Sequence, residues 1–245
     1  MSIATDLTRL QTAKADLKTA IEGKGVTVPS ATKIDGYADL VDAIQTGGGG
    51  YTIDELATKS QPSGAVTITV PTIAQNGLNY FTELTDVITT ETTTINRNSL
   101  TNCTSLKTVT CPKVTNIAGN DAFAWDTALE TALFPKLTTV AGTGLFNGCT
   151  SLEYVDFGEA NTIGANVFNN CRKLATLVLR KTGTITTLGN VSAFGNTPMR
   201  GYNSLNGTIY VPSALIETYK TATNWSTIFN EGHVTFSAIE GSQYE

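Results

Sequence analysis

The chain has 245 residues, of which 40% are hydrophobic and 15% are charged, so a packed core can form and wholesale disorder is excluded. The formal net charge is −5, and lysines and arginines never cluster, which excludes a phosphate-neutralising surface and hence a nucleic-acid partner. One histidine, His233, and four scattered cysteines leave little material for a metal site or a histidine-dependent catalyst, so we predict a protein that is not an enzyme and needs no cofactor.

Residues 1–46 are expected to form a small helical anchor. A shorter second helix is predicted from about Asp35 to Gln45. Because an isolated helix of ~20 residues is marginal in water, the apolar stripe of the first helix needs a cover. That cover is the second helix, further copies of the chain or another protein. The stripe has the three-, four- and seven-residue spacing of one helical face and consists of Ile3, Leu7, Leu10, Leu17 and Ile21.

Charged residues interrupt every apolar run in the first twenty residues, and no later stretch approaches the ~20 apolar residues that a membrane span needs. We therefore expect no secretory signal and no insertion into a membrane. Four consecutive glycines then form a flexible linker at 47–50. The expected domains beyond it are an N-terminal cap at 51–83, repeats at 84–200 and a C-terminal cap at 201–245.

The repeats have a period of 22–23 residues and predict the fold. One repeat cannot bury three apolar columns alone, whereas stacked copies with parallel strands can. The expected fold is therefore mainly β with some α, a solenoid of about five units plus caps, and the 43 threonines and 22 glycines agree with it. The columns are Leu84, Leu106, Leu129, Leu152 and Leu174; Ile95, Ile117, Val140, Ile163 and Ile185; and Leu100, Phe123, Phe146, Phe168 and, after a four-residue insertion, Phe194.

The two ends of the repeat array are expected to be atypical, since an open sheet edge must be covered. Residues 65–71 are predicted to form an entry strand. At the other end, a strand is predicted at 207–212, a helix capped by Ser213 follows it through Tyr219 and Lys220, and a last strand lies at 234–239.

The units NCTSLKTVTCP and NGCTSLEYVDFG resemble the BspA-like leucine-rich repeats of Treponema pallidum type. The segment IYVPSALIETYKTATNWSTIF is similar to the cap that follows these repeats, so the resemblance implies a leucine-rich-repeat solenoid over 84–245. Phe81 and Asp126 stand where the family has cysteine. The residues that match the family are Cys103, Cys149 and Cys171 at its cysteine position and Pro112 and Pro135 at its proline position.

The head segment, LKTAIEGKGVTVPSATKIDGYADLVDAI, resembles the N-terminal segments of structural proteins of tailed bacteriophages. Such segments precede a glycine linker and a variable adhesive module. The resemblance implies a non-enzymatic virion protein, on the head or the tail, that binds other virion proteins or copies of itself through residues 1–46. The alternative is a bacterial cell-surface adhesin or interaction module with no role in a virion.

The outward positions of the predicted strands are the candidate binding residues, because solenoids bind partners through such extended surfaces. A tyrosine beside two carboxylates is suited to a host-surface glycan or protein. A solvated face, or a lateral contact inside an assembly, explains the same pattern. The candidates are Lys107, Thr108, Thr110, Glu130, Thr131, Leu133, Glu153, Tyr154 and Asp156.

The four cysteines are predicted to be free thiols in the core rather than disulfides or metal ligands. Three of them recur at one position of the repeat, and the fourth belongs to the strand column. A free cysteine is a small, readily buried group.

Overall fold

The computed structural model describes residues 63–245, so the predicted helical anchor and the glycine linker lie outside the described residues. Each coil of the described chain has one longer strand and one two-residue strand. The longer strands are β1 (Gly64–Ile68), β3 (Leu84–Thr89), β5 (Thr108–Thr110), β7 (Thr131–Leu133), β9 (Tyr154–Asp156) and β11 (Thr176–Val178). The short ones are β2 (Thr72–Ile73), β4 (Thr94–Ile95), β6 (Asn116–Ile117), β8 (Thr139–Val140), β10 (Thr162–Ile163) and β12 (Thr187–Leu188).

The chain ends in a cap of two further strands and two short helices. The strands are β13 (Gly207–Val211) and β14 (Val234–Ala238), and the helices are α1 (Ile216–Thr221) and α2 (Trp225–Asn230). Single turns of 3-10 helix lie at Val191–Phe194, Pro198–Arg200, Tyr202–Ser204 and Ser213–Leu215.

The strands form the parallel ladders that the repeat predicts. The longer strands make an eight-stranded sheet in the order β1-β3-β5-β7-β9-β11-β13-β14, and every pair in it is parallel. The short strands form a four-stranded sheet, β2-β4-β6-β8, and a pair, β10-β12. Each coil therefore passes from one sheet to the other and back, and the apolar columns fill the space between them.

The core of the solenoid is a column of large side chains. The ring of Phe146 stacks on Phe123 at 5.3 Å and on Phe168 at 5.7 Å, and Phe168 stacks on Phe194 at 5.5 Å between ring centroids. All four rings are fully buried, as are the five leucines of the first predicted column. The predicted inward orientation of these two columns is therefore confirmed.

One residue of the second predicted column is assigned wrongly by its spacing. Ile163 pairs with Leu188, which is buried, whereas Ile185 is only half-buried and lies outside any strand. The extra residues of this unit precede the short strand instead of following it. Counting forward by one period from Ile163 therefore stops three residues too early.

The cap closes the last coil with two buried aromatic rings. The indole of Trp225 donates a hydrogen bond to the carbonyl of Thr186 at 2.7 Å, and the hydroxyl of Tyr219 accepts one from the amide of Thr186 at 2.9 Å. The first bond satisfies a carbonyl that has no further coil to pair with, and the second satisfies an amide whose equivalents in earlier coils bond to the preceding coil. The predicted strands at both ends are confirmed, but Ser213 lies in a 3-10 turn and makes no side-chain cap.

All four cysteines are free and buried, as predicted. The thiols of one column each donate a hydrogen bond to a backbone carbonyl, with Sγ-to-oxygen distances of 3.1, 2.9 and 3.1 Å for Cys103, Cys149 and Cys171. Asp126 occupies the same column and is fully buried. Its Oδ1 accepts from the amide of Cys103 at 2.7 Å, whereas its Oδ2 has no hydrogen-bond partner.

Candidate binding face on the eight-stranded sheet

The candidate site is the outer surface of the eight-stranded sheet. In a three-residue strand the middle side chain points into the core and the flanking two point outward. Two outward columns therefore cross the sheet in register. The first contains Asp86, Thr108, Thr131, Tyr154, Thr176 and Thr208, and the second contains Ile88, Thr110, Leu133, Asp156, Val178 and Tyr210.

The first column begins with a fixed polar group. The hydroxyl of Thr108 donates to Oδ1 of Asp86 at 2.5 Å, and the hydroxyl of Thr85 donates to Oδ2 at 2.8 Å. Thr108, a predicted binding residue, is thus oriented by a carboxylate that the sequence did not single out. Thr131 follows in the next strand and is half-buried.

The second column is open and partly apolar over its first three strands. Ile88 is 43% exposed, and Thr110 and Leu133 are half-buried. A branched apolar side chain on each side of a hydroxyl gives a surface that excludes water from a partner and still offers a hydrogen bond. Thr110 and Leu133 therefore lie where the sequence predicts them, and Ile88 extends their row by one strand.

From Asp156 onward, other side chains cover the second column. Asp156 points outward as predicted but is only 5% exposed, because Arg180 covers it. The Nε of Arg180 donates to Oδ2 of Asp156 at 2.9 Å, its Nη2 lies 2.8 Å from the same oxygen, and the amide of Gly158 donates to Oδ1 at 3.0 Å. Asp156 is therefore held by Gly158 of its own coil and Arg180 of the next, and it offers no free carboxylate oxygen to a partner.

The chain's last residues cover the neighbouring tyrosine. The ring of Tyr244 stacks on Tyr154 at 5.3 Å and meets Tyr210 edge-on at 4.5 Å between centroids. Because Tyr154 and Tyr210 lie on strands on either side of β11, the tail crosses the sheet at that strand. The sequence carries no signal for this contact, because Tyr244 lies outside the repeats.

These contacts alter the electrostatics of the covered half. Burial, reinforced by the carboxylate of Asp156, raises the pKa of Tyr154 to about 12. The hydrogen bonds to Asp156 raise the pKa of Arg180 above its ordinary value. Both side chains therefore keep their protons throughout the neutral range, and the covered half is a neutral aromatic and ion-paired surface.

The remaining predicted residues, Lys107, Glu130 and Glu153, are exposed at the entrances of their strands. Glu153 forms an ion pair with Lys173 of the next coil, with 3.3 Å between oxygen and nitrogen. An exposed pair of this kind contributes ~0–1 kcal/mol. These three residues form a charged margin along one edge of the face and do not converge on a point.

The described residues offer no evident catalytic group. No group of three or more His, Cys, Asp or Glu side chains within residues 63–245 is placed to hold a metal ion. Burial raises the pKa of Cys111 to about 12 and that of Cys149 well above its ordinary value, so these thiols are not ionised nucleophiles. His233 contacts Asn206, with 3.1 Å between its Nδ1 and Oδ1 of the amide.

No helix within residues 63–245 is long and apolar enough to cross a membrane.

Several solved structures are similar to the chain. They include the T. pallidum leucine rich repeat protein (19% identity over 72% of this chain and 87% of that one, TM-score 0.45) and the pneumococcal vaccine antigen PcpA (12%, 70% and 40%, TM-score 0.48). A leucine-rich repeat protein from Bacteroides ovatus gives 20% identity over 71% of this chain and 42% of that one, with a TM-score of 0.41. The chain thus spans less than half of the latter two proteins. No curated protein matches the sequence.

The model of one family matches the repeats directly. It is described as the BspA type leucine rich repeat region, and it matches six copies over residues 72–199, just over half of the chain. The matched region contains the stacked coils, the phenylalanine column and the cysteine column described above. The chain therefore belongs to the BspA-type leucine-rich repeat family.

Proposed function

We propose that the chain is a non-enzymatic structural protein of a bacteriophage virion, a decoration or fibre-like protein of head or tail, that displays its strand face for attachment to a host surface. The observation that carries the proposal is the open part of that face. Over β3, β5 and β7 the outward side chains combine a fixed carboxylate, hydroxyls, the exposed Ile88 and the half-buried Leu133. Such a mixture is typical of a surface that binds another macromolecule.

Binding is favoured over catalysis by the state of the reactive groups. The four thiols of the described chain are buried, and the outward carboxylate Asp156 is held by Arg180. The strand face presents rows of side chains rather than a convergent constellation. A row of this kind contacts an extended partner along several coils at once.

The virion location is supported by the head segment. Its resemblance to the N-terminal segments of phage structural proteins implies docking through residues 1–46, with Ile3, Leu7, Leu10, Leu17 and Ile21 as the contact stripe. Those residues lie outside the described part of the chain, so the proposal rests on their sequence pattern. The partner of the stripe is another virion protein or a second copy of the chain.

The strand face is tested by charge substitution. We expect Ile88→Glu and Leu133→Glu each to weaken binding of the fluorescently labelled full chain to cells of the host bacterium at least tenfold. Leu205→Glu is the matched control, because Leu205 is 49% exposed but lies outside the eight-stranded sheet. Equal binding by all three variants would overturn the role of the strand face.

The anchor is tested by light scattering on the full chain. If the stripe joins copies of the chain, the double variant Leu10→Asp, Leu17→Asp becomes monomeric and fails to enter virions. Retention of both assembly and oligomerisation would contradict the anchor. Neighbouring genes for capsid, portal or tail proteins support the virion proposal, whereas a sorting or secretion locus would assign the chain to the bacterial surface as an adhesin.

A further inference from the structure

The coils turn through residues in the left-handed region of backbone conformation, and these residues form two columns. Asparagine, aspartate and glycine tolerate positive φ, whereas a bulky side chain is strained there. The first column contains only tolerant residues, but the second includes a tyrosine and a tryptophan. The pairs, in chain order, are Asn76 and Tyr80, Asn98 and Asn102, Asp121 and Trp125, Gly144 and Gly148, and Asn166 and Asn170.

Tyr80 and Trp125 are the exceptions, with φ of 64° and 66°. Neither ring is buried to compensate for the strain: Tyr80 is 60% exposed and Trp125 is 49% exposed. The chain's other tryptophan, Trp225, is fully buried. Residues with a strained backbone are concentrated at functional sites, where the strain holds a side chain in position. Tyr80 and Trp125 fit this description, because their rings contribute nothing to the core.

The two rings belong to one surface. The backbone amide of Tyr80 donates to the carbonyl of Thr101, and that of Asn102 donates to the carbonyl of Ala124, at 2.9 and 3.0 Å, so the corners of successive coils are stacked. Tyr80 and Trp125 are thus separated by two coil spacings, ~10 Å along the stack. A ligand that contacts both aromatic rings must therefore be longer than a single six-membered ring.

A groove of about 470 Å³ is lined by both rings. Its volume falls within the range of ~300–1,000 Å³ that is usual for ligand sites. The other lining side chains that could bind a ligand are polar: Asn79, Asn98, Asn102, Asn147, Arg97 and Asp121.

The amides of the groove are available for a ligand. The side chains of Asn79, Asn98 and Asn102 make no hydrogen bond within the described chain, and each offers two donor hydrogens and an acceptor oxygen. Arg97 and Asp121 supply one charge of each sign, so the groove as a whole is close to neutral.

The indole of Trp125 occupies the space that a side chain at position 148 would need. A Cβ added at Gly148 would lie 2.6 Å from Cε3 of the indole and 2.9 Å from its Cδ2. The ring therefore lies against the bare backbone of the next coil. Its position is set before any ligand arrives, which reduces the ordering that binding requires.

We propose that this groove binds a neutral carbohydrate, an oligosaccharide of hexopyranose units, with Tyr80 and Trp125 as stacking surfaces. The C–H face of a pyranose packs on an aromatic ring, and its hydroxyls both donate to and accept from amides. A nucleic acid is disfavoured because the groove has one arginine, opposed by Asp121, and the chain carries a net charge of −5. The groove is separate from the strand face, so the inference does not depend on the proposed virion role.

The test uses the labelled full chain on an array of neutral hexose oligosaccharides that also carries sialylated glycans and unrelated peptides. We expect binding to neutral oligosaccharides, followed by a change in the fluorescence of Trp125 when the best of them is titrated. Trp125→Asn and Tyr80→Asn, which install the residue found elsewhere in the column, should each weaken binding at least tenfold. Tyr244→Asn, which removes a ring from the strand face, is the matched control and should not.

Folding and binding are separated by the melting temperature. Because asparagine suits positive φ, both variants should melt no lower than the wild-type chain, so lost binding cannot be ascribed to unfolding. Absence of any neutral ligand, unchanged affinity in both variants, or binding confined to sialylated glycans or peptides would each overturn the proposal. If Ile88→Glu abolishes attachment through the strand face but the variant still binds neutral oligosaccharides, the proposal for the groove stands, because only the strand-face function is lost.

Discussion

Replacing Asp126 with asparagine is expected to remove a pH-dependent loss of stability from the solenoid. The cysteines in its column both donate and accept: the thiol of Cys149 donates to a backbone carbonyl and accepts from the backbone of Asp126. A carboxylate can only accept, whereas a protonated carboxyl group can do both. The unpartnered Oδ2 and the complete burial of Asp126 therefore indicate that it is neutral in the folded chain. Burial raises the pKa of this carboxyl group well above its ordinary value of 3.8.

The sign of the effect follows from proton uptake. Between pH 3.8 and the raised folded pKa, the folded chain holds a proton on Asp126 that the unfolded chain has released. The contribution of this group to the free energy of unfolding is therefore greatest at low pH and falls by about 1.4 kcal/mol per pH unit through that window. For a protein of this size that corresponds to a fall in Tm of ~3–6 °C per pH unit.

Asparagine has the same shape, cannot ionise, and retains both an acceptor and a donor. The gap in Tm between Asp126→Asn and the wild-type chain should therefore widen in favour of the variant as pH rises from 5 to 8. Thermal melts followed by circular dichroism at constant ionic strength measure that gap. Glu130→Gln, which removes an exposed carboxylate a few residues away, is the control and should run parallel to wild type. Parallel curves for Asp126→Asn would refute the argument.

Three further predictions follow from packing and burial. Phe146→Ala should lower the free energy of unfolding in urea by ~3–5 kcal/mol, because four buried rings surround it; a loss below ~1 kcal/mol would contradict the stacked column. Ellman's reagent should react slowly with the native chain and find four thiols after unfolding without reductant, and fewer than two would indicate disulfides. The difference between the tyrosinate titration curves of the wild-type chain and of Tyr154→Phe should be a single component near pH 12, and a difference component near pH 10 would show that this ring is not buried on the strand face.

The stacked coils were predictable from the sequence because burial recurs with the repeat. A residue such as Phe146 meets the equivalent residue of the coils before and after it, so one period carries the information for many contacts. That logic fails where the period changes. Ile185 has the expected spacing, but the insertion lies upstream of the short strand, and Leu188 takes the buried position instead.

The contacts that cover half of the candidate face could not be predicted from the sequence, for a different reason. The contacts of Tyr244 with Tyr154 and Tyr210 join the end of the chain to strands far away in sequence, and they occur once. No periodicity marks a contact that is made once. The backbone conformation of Trp125 was equally hidden, since tryptophan is among the residues least expected at positive φ.

The two open surfaces lie on the same coils. Ile88 and Leu133 are on strands β3 and β7, and the groove between Tyr80 and Trp125 is formed by the corners of the coils that contain those strands. Farther along the stack, Arg180 and the tail occupy the strand face and the cap covers the last coil. The fold requires an apolar side chain at the inward positions of every coil. It does not require a particular side chain at the outward strand positions or in the second left-handed column. Binding chemistry can therefore differ between the sheet and the corners of one coil without disturbing the core, and a variant at either surface reports on that surface alone.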